Sequence, residues 1–592
     1  MGKLSHPKRL GLFIFYDRDG IVDDYVEYLL HDICPNFDHL TILSNSFLEP
    51  SEKAKLEKFS KDIVMRENKG LDAGAFYEYF TSTDAYKEYD EIVCFNDTFF
   101  GPFYSFKRVF DCMANRDIDF WGLALGHKQR DGYGIMPEGY IPEHIQTFFI
   151  AFRQNVVVSE AFQNYWQNYN YEHMQTFYDV VTKHELRFTQ YLAQAGFRYD
   201  SYIKDTNASE NYMENYNNYN YNAATQIIQD KALYIKRKNF AFAKKDFLYL
   251  TDQDDLKQAL EYIKNKTDYD VRMIWKNILR LYSLSDIHES LGLYSIVSEQ
   301  PCPLNKNVTF VVYIDNVLMM EDLASKILEI SGDWQVFTAN KQVYDFLKEK
   351  CSVTKIKKNE FSRYFVSFLT KVKQKYVGFF FIPEHEENCI TLIEESVYKK
   401  YLQCIVQSQN YVNNALDILE KDPCLGVCYV PNSLHYDYYY KSNHWDRDVY
   451  QKLKTLFPDN DKLCEEKLPL SFAQAWLVRS EILKGIRFTN WHCEEDTLFA
   501  KCLTVGLSFV AADHGYYSNL LLNEQEALNQ LNLYRCIYQD VNRSLQDLPG
   551  VPLTLSGEIE FIKNIKIKSS KSFIRRGFRY IKRLVKKMFY RK

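Results

Sequence analysis

One feature constrains this chain more than any other. Through its first hundred residues, short apolar runs of strand length alternate with segments whose apolar positions recur at helical spacing. RLGLFIFY (9–16), HLTILSN (39–45), DIVMRE (62–67) and YDEIVCFND (89–97) read as strands. IVDDYVEYLLHD (21–32), with Ile21, Tyr25, Tyr28 and Leu29 on one face, and LDAGAFYEYF (71–80) read as helices. That β-α-β-β-α-β order predicts an α/β fold with a doubly wound, mostly parallel sheet. Such sheets bind ligands beyond the carboxyl ends of their strands, so chemistry is expected in the turns that follow each strand.

The rhythm restarts at NVTFVVYIDN (307–316), and the second half echoes the first. KYVGFFFIPEH (375–385) stands where YDEIVCFND stood, LGVCYVP (425–431) answers DFWGLAL, and SFAQAWLVRSEIL (471–483) answers TFFIAFRQNVV. Matching Gly196 to Gly506 in HELRFTQYLAQAGF and EEDTLFAKCLTVGL sets Glu185 on Glu495, each 11 residues before its glycine. Four correspondences in one order predict a duplicated architecture, the alternative being two unrelated α/β domains. With 592 residues the chain is also too long for one core, since single cores stop growing near about 250–300 residues. Residues 207–222, NASENYMENYNNYNYN, read as a polar surface excursion, and 253–297 as mainly helical.

Charge is unevenly placed. Residues 563–592 hold 13 Lys or Arg and no acid, leaving 60 basic and 78 acidic residues elsewhere, a body of net charge −18. That body does not suit a polyanion-binding enzyme. In FIRRGFRYIKRLVKKMFYRK (573–592), Ile574, Phe578, Ile581, Leu584, Val585 and Met588 recur at three- to four-residue steps. Arg575, Arg576, Arg579, Lys582, Arg583, Lys586 and Lys587 fill the opposite face. The pattern predicts an amphipathic helix lying on an anionic membrane surface. Nucleic-acid binding or a solvated terminus are the alternatives, and neither needs an apolar stripe. The apolar runs GLFIF and VGFFFIP are too short for a signal-peptide core or a membrane span. A cytoplasmic protein, peripheral at the inner face of the membrane, is expected, with its 13 cysteines reduced.

The turns after the strands are unusually polar. Strand one runs into Tyr16-Asp17-Arg18-Asp19-Gly20, strand three into Asn68-Lys69-Gly70-Leu71-Asp72, and strand four ends in Asn96-Asp97-Thr98. Asp17 and Asp19 are either pocket acids or part of a capped helix start. Lys69 has the charge to meet a phosphate and Asp72 the oxygens to accept from a hydroxyl, unless Asn68, Gly70 and Asp72 simply build a turn with an acidic first helical residue. Asn96-Asp97 lies where a hard cation such as Mg2+ or Mn2+ would find one carboxylate and complete its shell from phosphate oxygens; a turn or helix cap is the competing reading. Glu185, read as following a loop and opening a helix, is a general-base candidate or a dipole-compensating acid.

Taken together, FYDRDGIVDDYVEYLL, RENKGLDAGAFYEYF, YDEIVCFNDTFFGP, DIDFWGL and IQTFFIAF followed by HELRFTQYLAQAGF resemble the rhamnan synthesis protein F family of bacterial polysaccharide glycosyltransferases. The resemblance covers the first 200 residues well and the second half loosely, through its two-part layout and the run WHCEED (491–496). It implies a GT-A-like fold with tandem transferase-like domains. Their bounds are expected at 1–205 and 304–545, with a connector at 206–303 and a membrane-association tail at 546–592. It further implies transfer of rhamnose from dTDP-rhamnose to a polyprenyl-linked, rhamnose-rich cell-wall polysaccharide, alongside other assembly transferases and without nucleic acid. Another donor sugar, or an inactive glycan-binding subunit, are the alternatives. Asp17, Asp19, Asn68, Lys69, Gly70, Asp72 and Asn96 would contact the donor, and Asp97 a divalent cation. Asn96-Asp97 departs from the family fold's two-acid metal motif. Glu185 would be the base, although its neighbours His184 and Leu186 leave the usual acidic pair incomplete. Glu495 and Asp496 match that pair better, whereas Pro383-Glu384-His385 is a poorer metal site than Asn96-Asp97. Either both halves are active, making two different linkages, or one is a degenerate scaffold that grips the acceptor; the first half is favoured as catalytic.

Overall fold

The computed structural model describes residues 7–203, 242–243 and 253–532, apart from 127, 131–135, 170, 172–173, 175, 304–307, 385–390, 433–444, 459, 461, 466, 487, 489–490 and 492–494. The segment 207–222 and the basic tail, with Arg575, Arg576, Arg579, Lys582, Arg583, Lys586 and Lys587, lie outside the described residues. The chain divides into two compact units, Met1–Ile274 and Trp275–Lys592.

Unit 1 is built on β1 (Arg9–Phe15), α1 (Asp24–Ile33), β2 (His39–Ser44), α2 (Pro50–Leu56), β3 (Ile63–Met65), α3 (Leu71–Ser82), β4 (Glu91–Asn96), α4 (Phe106–Ala114), β5 (Phe120–Gly122), β6 (Phe149–Arg153), α5 (Leu186–Gln194) and β7 (Tyr199–Ser201). The seven strands form one sheet in the order β7-β5-β6-β4-β1-β2-β3. All neighbours are parallel except β6, which runs antiparallel to both β4 and β5. Helix α2 corrects the sequence reading, which joined strands two and three directly. Parallel neighbours need a crossover, and α2 supplies it. Its sequence PSEKAKL buries one residue, Leu56, so no apolar period announced it.

Every residue of β1 is buried, because helices cover both faces of the sheet. Leu10, Leu12 and Ile14 pack with Phe76, Phe80, Phe152 and Phe188. Phe13, pointing to the other face, meets Phe95 at 5.0 Å between ring centroids. Each such ring withdrawn from water contributes about 1.5–3 kcal/mol, and this two-sided burial fixes where the strands end and hence where the polar turns emerge.

Unit 2 repeats the plan. Its strands are β8 (Tyr294–Ile296), β9 (Val308–Ile314), β10 (Asp333–Thr338), β11 (Val353–Lys355), β12 (Tyr376–Ile382), β13 (Leu425–Tyr429), β14 (Ala475–Arg479) and β15 (Tyr517–Leu522). Their order is β8-β15-β13-β14-β12-β9-β10-β11, again with one antiparallel strand, β14, between β12 and β13. Apart from the added edge strand β8, this is the unit 1 order. The tandem, doubly wound, mostly parallel layout expected from the sequence is therefore observed.

A pair of arginines reinforces the duplication. Arg153 ends β6 buried, donating to the carbonyls of Met113, at the end of α4, and Arg116. Arg479 ends β14 buried, donating to the carbonyls of Leu419, in the helix α7 (Gln409–Lys421), and of Asp422 and Leu425. In both units the antiparallel strand delivers a guanidinium to the end of the helix before the next strand. The glycine match is corrected, however. Gly196 follows α5 with φ +94°, whereas Gly506 lies inside the 18-residue helix α8 (Asp496–Asp513), against Trp491. Glu185 and Glu495 correspond only in standing immediately before α5 and α8, Glu185 in helical and Glu495 in extended backbone. No helix among the described residues is long and apolar enough to cross a membrane.

Candidate functional site

The turns after β1, β2 and β3 of unit 1 are sewn together side by side. Asp17 Oδ1 accepts the backbone N–H groups of Asp19 and Ile21 at 3.0 and 3.1 Å, closing the turn that follows β1. Ser46 Oγ accepts from the Asp17 N–H at 2.8 Å and donates to the Asp17 carbonyl at 2.7 Å. Asn45 donates to Asn68 Oδ1 at 3.0 Å and accepts from Arg66 at 2.7 Å. Arg66 in turn holds both Glu78 carboxylate oxygens, at 2.8 and 2.7 Å, and the Lys69 carbonyl. Helix α1 begins at Asp24, with Asp23 as its N-cap, so Asp17 and Asp19 sit in a turn and not at a helix start.

The β3–α3 turn brings acid to the middle of the rim. Gly70 adopts φ +66°, and a Cβ there would lie 2.8 Å from the Tyr171 ring. Leu71 also has positive φ, +50°, an uncommon conformation for a side-chain-bearing residue. Asp72 follows, and the side-chain amide of Asn96 donates to its carboxylate. Asn96 Oδ1 accepts from the Thr98 N–H and hydroxyl at 3.0 and 2.7 Å, so both ends of the amide are used. Asp97 is 3% exposed. The Tyr25 hydroxyl donates to its carboxylate at 3.0 Å. Burial first, then the charges of Asp97, Asp23 and Asp17, push the Tyr25 hydroxyl well above its ordinary pKa.

Glu185 reaches the same rim by a different route. Because β6 is antiparallel, it brings its beginning to the place where β4 ends, Phe149 pairing with Phe95. The Asn96 N–H donates to the Phe148 carbonyl at 3.1 Å. The next residue back, Thr147, donates its N–H (3.0 Å) and its hydroxyl (2.6 Å) to Glu185 Oε2. Asp72, Asn96, Thr147 and Glu185 are thus joined in one series. Glu185 does not follow a loop, as the sequence suggested. A capping box at Thr176 starts a helical run at Phe177, and a π-turn over Val181–Glu185 leads directly into α5. Single π-turns are frequent at functional positions. Next to Glu185, His184 is sealed among Tyr165, Trp166, Tyr169 and Phe188 and bonds the Tyr165 hydroxyl at 2.8 Å. Burial drives its pKa from 6.5 down to about 3.

Other expected residues stand apart from that series. Lys69 is exposed and pairs with Glu67 at 2.6 Å; Asp19 is exposed and pairs with Arg18 at 3.2 Å. In unit 2, Glu495 is exposed, while Asp496 is buried and accepts the Phe361 N–H at 2.8 Å. Among the described residues no group of three or more His, Cys, Asp or Glu side chains is arranged to hold a metal. At the end of β4, Asp97 would supply a single carboxylate to an ion. A depression lined by Cys34, Phe37, Asp38, His39 and Asp62 lies at the amino ends of β2 and β3, at the opposite end of the sheet. Sequence reasoning missed Thr147 and the role of Tyr25. Thr147 precedes an apolar strand with nothing local to mark it, and Tyr25 reads as part of an apolar helix face.

Two doubly wound sheets, one with carboxylates and amides joined across four strand ends, define a tandem α/β protein with a polar sheet rim, the place where sheets of this kind bind ligands. The chain belongs to the rhamnan synthesis protein F family, whose model matches residues 40–466. It is also similar to solved structures. The glycosyltransferase GlyE of Streptococcus pneumoniae TIGR4 shares 12% identity over 66% of this chain and 89% of its own, with a TM-score of 0.24. The S. cerevisiae mannosyltransferase Ktr4p in complex with GDP shares 9% over 32% and 69%, with a TM-score of 0.23. Glucosyl-3-phosphoglycerate synthase from Mycobacterium tuberculosis, in complex with Mn2+, UDP-glucose and phosphoglyceric acid, shares 13% over 25% of this chain and 58% of its own, with a TM-score of 0.18. This chain thus spans less than two thirds of that synthase. No curated protein matches.

Proposed function

We propose that the rim of unit 1 transfers a sugar from a nucleotide-activated donor to a hydroxyl group of a growing polysaccharide. In this reading the sugar is rhamnose, the donor dTDP-rhamnose and the acceptor a polyprenyl-linked, rhamnose-rich glycan. The observation that carries the proposal is the hydrogen-bonded series Asp72–Asn96–Phe148/Thr147–Glu185, which gathers residues from four separate segments of the chain. Membership of the rhamnan synthesis protein F family supports the class of product.

An acceptor hydroxyl is a poor nucleophile and needs a base within hydrogen-bond reach. Glu185 is oriented for that role. Both Thr147 donors bind Oε2, which fixes the plane of the carboxylate and leaves Oε1 to accept the proton as the new glycosidic bond forms with inversion. Asp72, held by Asn96, would accept from a donor hydroxyl, and Lys69, on the same turn, would approach the diphosphate. A divalent ion bound to Asp97 and to the diphosphate oxygens would stabilise the leaving-group charge. That mode needs one protein carboxylate, which Asp97 would supply.

The basic amphipathic tail completes the reading: it would dock the enzyme on the inner membrane face, where a lipid-linked acceptor is found. Calorimetry with dTDP, with and without Mn2+, tests donor recognition, and donor hydrolysis across dTDP- and UDP-sugars tests the sugar. Absence of binding to any nucleotide would leave a glycan-binding subunit as the answer.

A further inference from the structure

Unit 2 repeats the sheet of unit 1, yet the ends of its strands carry different chemistry. After β9, Asp315 is buried and its carboxylate is fully engaged by its own unit. Oδ1 accepts from the Thr338 hydroxyl at 2.8 Å and from the N–H groups of Ala339 and Asn340 at 2.8 and 3.0 Å. Oδ2 accepts from the Tyr313 hydroxyl at 2.6 Å. By sheet register the places of Asn96 and Asp97 are held by Phe381 and Ile382 of β12, the Phe381 N–H donating to the Gln474 carbonyl as Asn96 does to Phe148, and the chain then reads Pro383-Glu384. Proline has no N–H to offer, and Glu384 is exposed, 3.4 Å from Lys358.

The greatest difference is at the helix that follows the third strand. In unit 1 this is α3, entered through Gly70 at φ +66° with no side-chain cap from its N-cap residue. In unit 2 it is α6 (Phe361–Leu369), entered through Asn359 at φ +65°. Here Asp496, carried in by the first turn of α8, fills the helix end. Its Oδ1 accepts the Phe361 N–H at 2.8 Å, it is 5% exposed, and its Oδ2 is buried without a partner. The negative charge that a helix N-terminus favours is supplied from within the protein. Burial first, and with it the charge of Asp315, raises the Asp496 pKa, so an incoming diphosphate would meet two buried carboxylates, one of them already on the Phe361 N–H.

We propose that Asp496 is an internal substitute for the anionic ligand at the rim of unit 2, so that unit 2 takes no nucleotide diphosphate and each chain performs its chemistry in unit 1 alone. This rests on the transferase reading and goes beyond it by assigning one donor site per chain and a structural role to the acidic run at Glu495-Asp496. Asp496 becomes a residue that seals a fold whose catalytic counterpart lies in the other unit.

Stoichiometry tests it. Titration of the full chain with dTDP and with UDP, each with Mn2+, should give one nucleotide per chain, and N96A/D97A should lose that binding with its folding intact. D496S should lower the unfolding midpoint and leave the stoichiometry at one. Two nucleotides per chain, or one retained by N96A/D97A and lost in D496S, would overturn the assignment while leaving a transferase. No nucleotide bound by the unaltered chain would overturn the transferase reading, and the assignment with it. If D496S fails to fold, the unaltered chain and N96A/D97A still decide between these outcomes.

Discussion

Thr147 donates both its backbone N–H, at 3.0 Å, and its hydroxyl, at 2.6 Å, to a single carboxylate oxygen of Glu185, 38 residues away in sequence. The contact exists because β6 runs against its neighbours and so begins at the rim where β4 ends. Two donors on one oxygen leave the other with a defined direction, the arrangement a general base requires.

Replacement of Glu185 by Gln should therefore abolish transfer, by at least ~10²-fold in kcat, with unchanged far-UV circular dichroism. Thr147→Val keeps the N–H bond and loses the hydroxyl bond, and should lower kcat less than E185Q does. Near-normal turnover in E185Q would remove Glu185 from the mechanism.

The bond from Asn96 to Asp72 joins the fourth strand to the β3–α3 turn. Asn96→Ala should raise KM for the donor and leave KM for the acceptor near its original value, as steady-state kinetics with each substrate varied would show. The opposite split would place Asp72 with the acceptor.

His184 makes stability depend on pH. Its folded pKa is about 3 against an ordinary 6.5. Between these values the unfolded chain binds a proton that the folded chain refuses, so stability is lost as pH falls from 6.5 toward 3, by up to about 1.4 kcal/mol per pH unit. Comparing urea midpoints at pH 7 and pH 5.5 for the native sequence and His184→Phe should show a smaller drop in the variant. An equal drop would mean that the aromatic cage opens to water.

The tail prediction stands on sequence alone. Deleting residues 563–592 removes 13 positive charges and one apolar stripe, and each cation near an anionic surface contributes about 1 kcal/mol. Fractionation of cells expressing the truncated chain should find it released from the membrane. Unchanged distribution would show that something else anchors it.

What the sequence determined by itself was whatever local periodicity encodes. The apolar runs named four strands of unit 1, their polar ends named the rim, and the order of similar segments named the second unit. Where local signal was thin, the reading slipped: α2 buries only Leu56, and the π-turn before α5 has no compositional mark. Which residues meet was decided by the tertiary structure, because sheet register and strand direction are set by packing over the whole unit. Asp72 and Asn96 are 24 residues apart and Glu185 and Thr147 are 38 apart, separations that no helical or strand period connects. The same holds for Asp496, 135 residues from Phe361. In sequence its acidic run looks like a catalytic pair, but the packing of α8 beside α6 turns that carboxylate onto a backbone N–H, in an interior where a charge must find a donor.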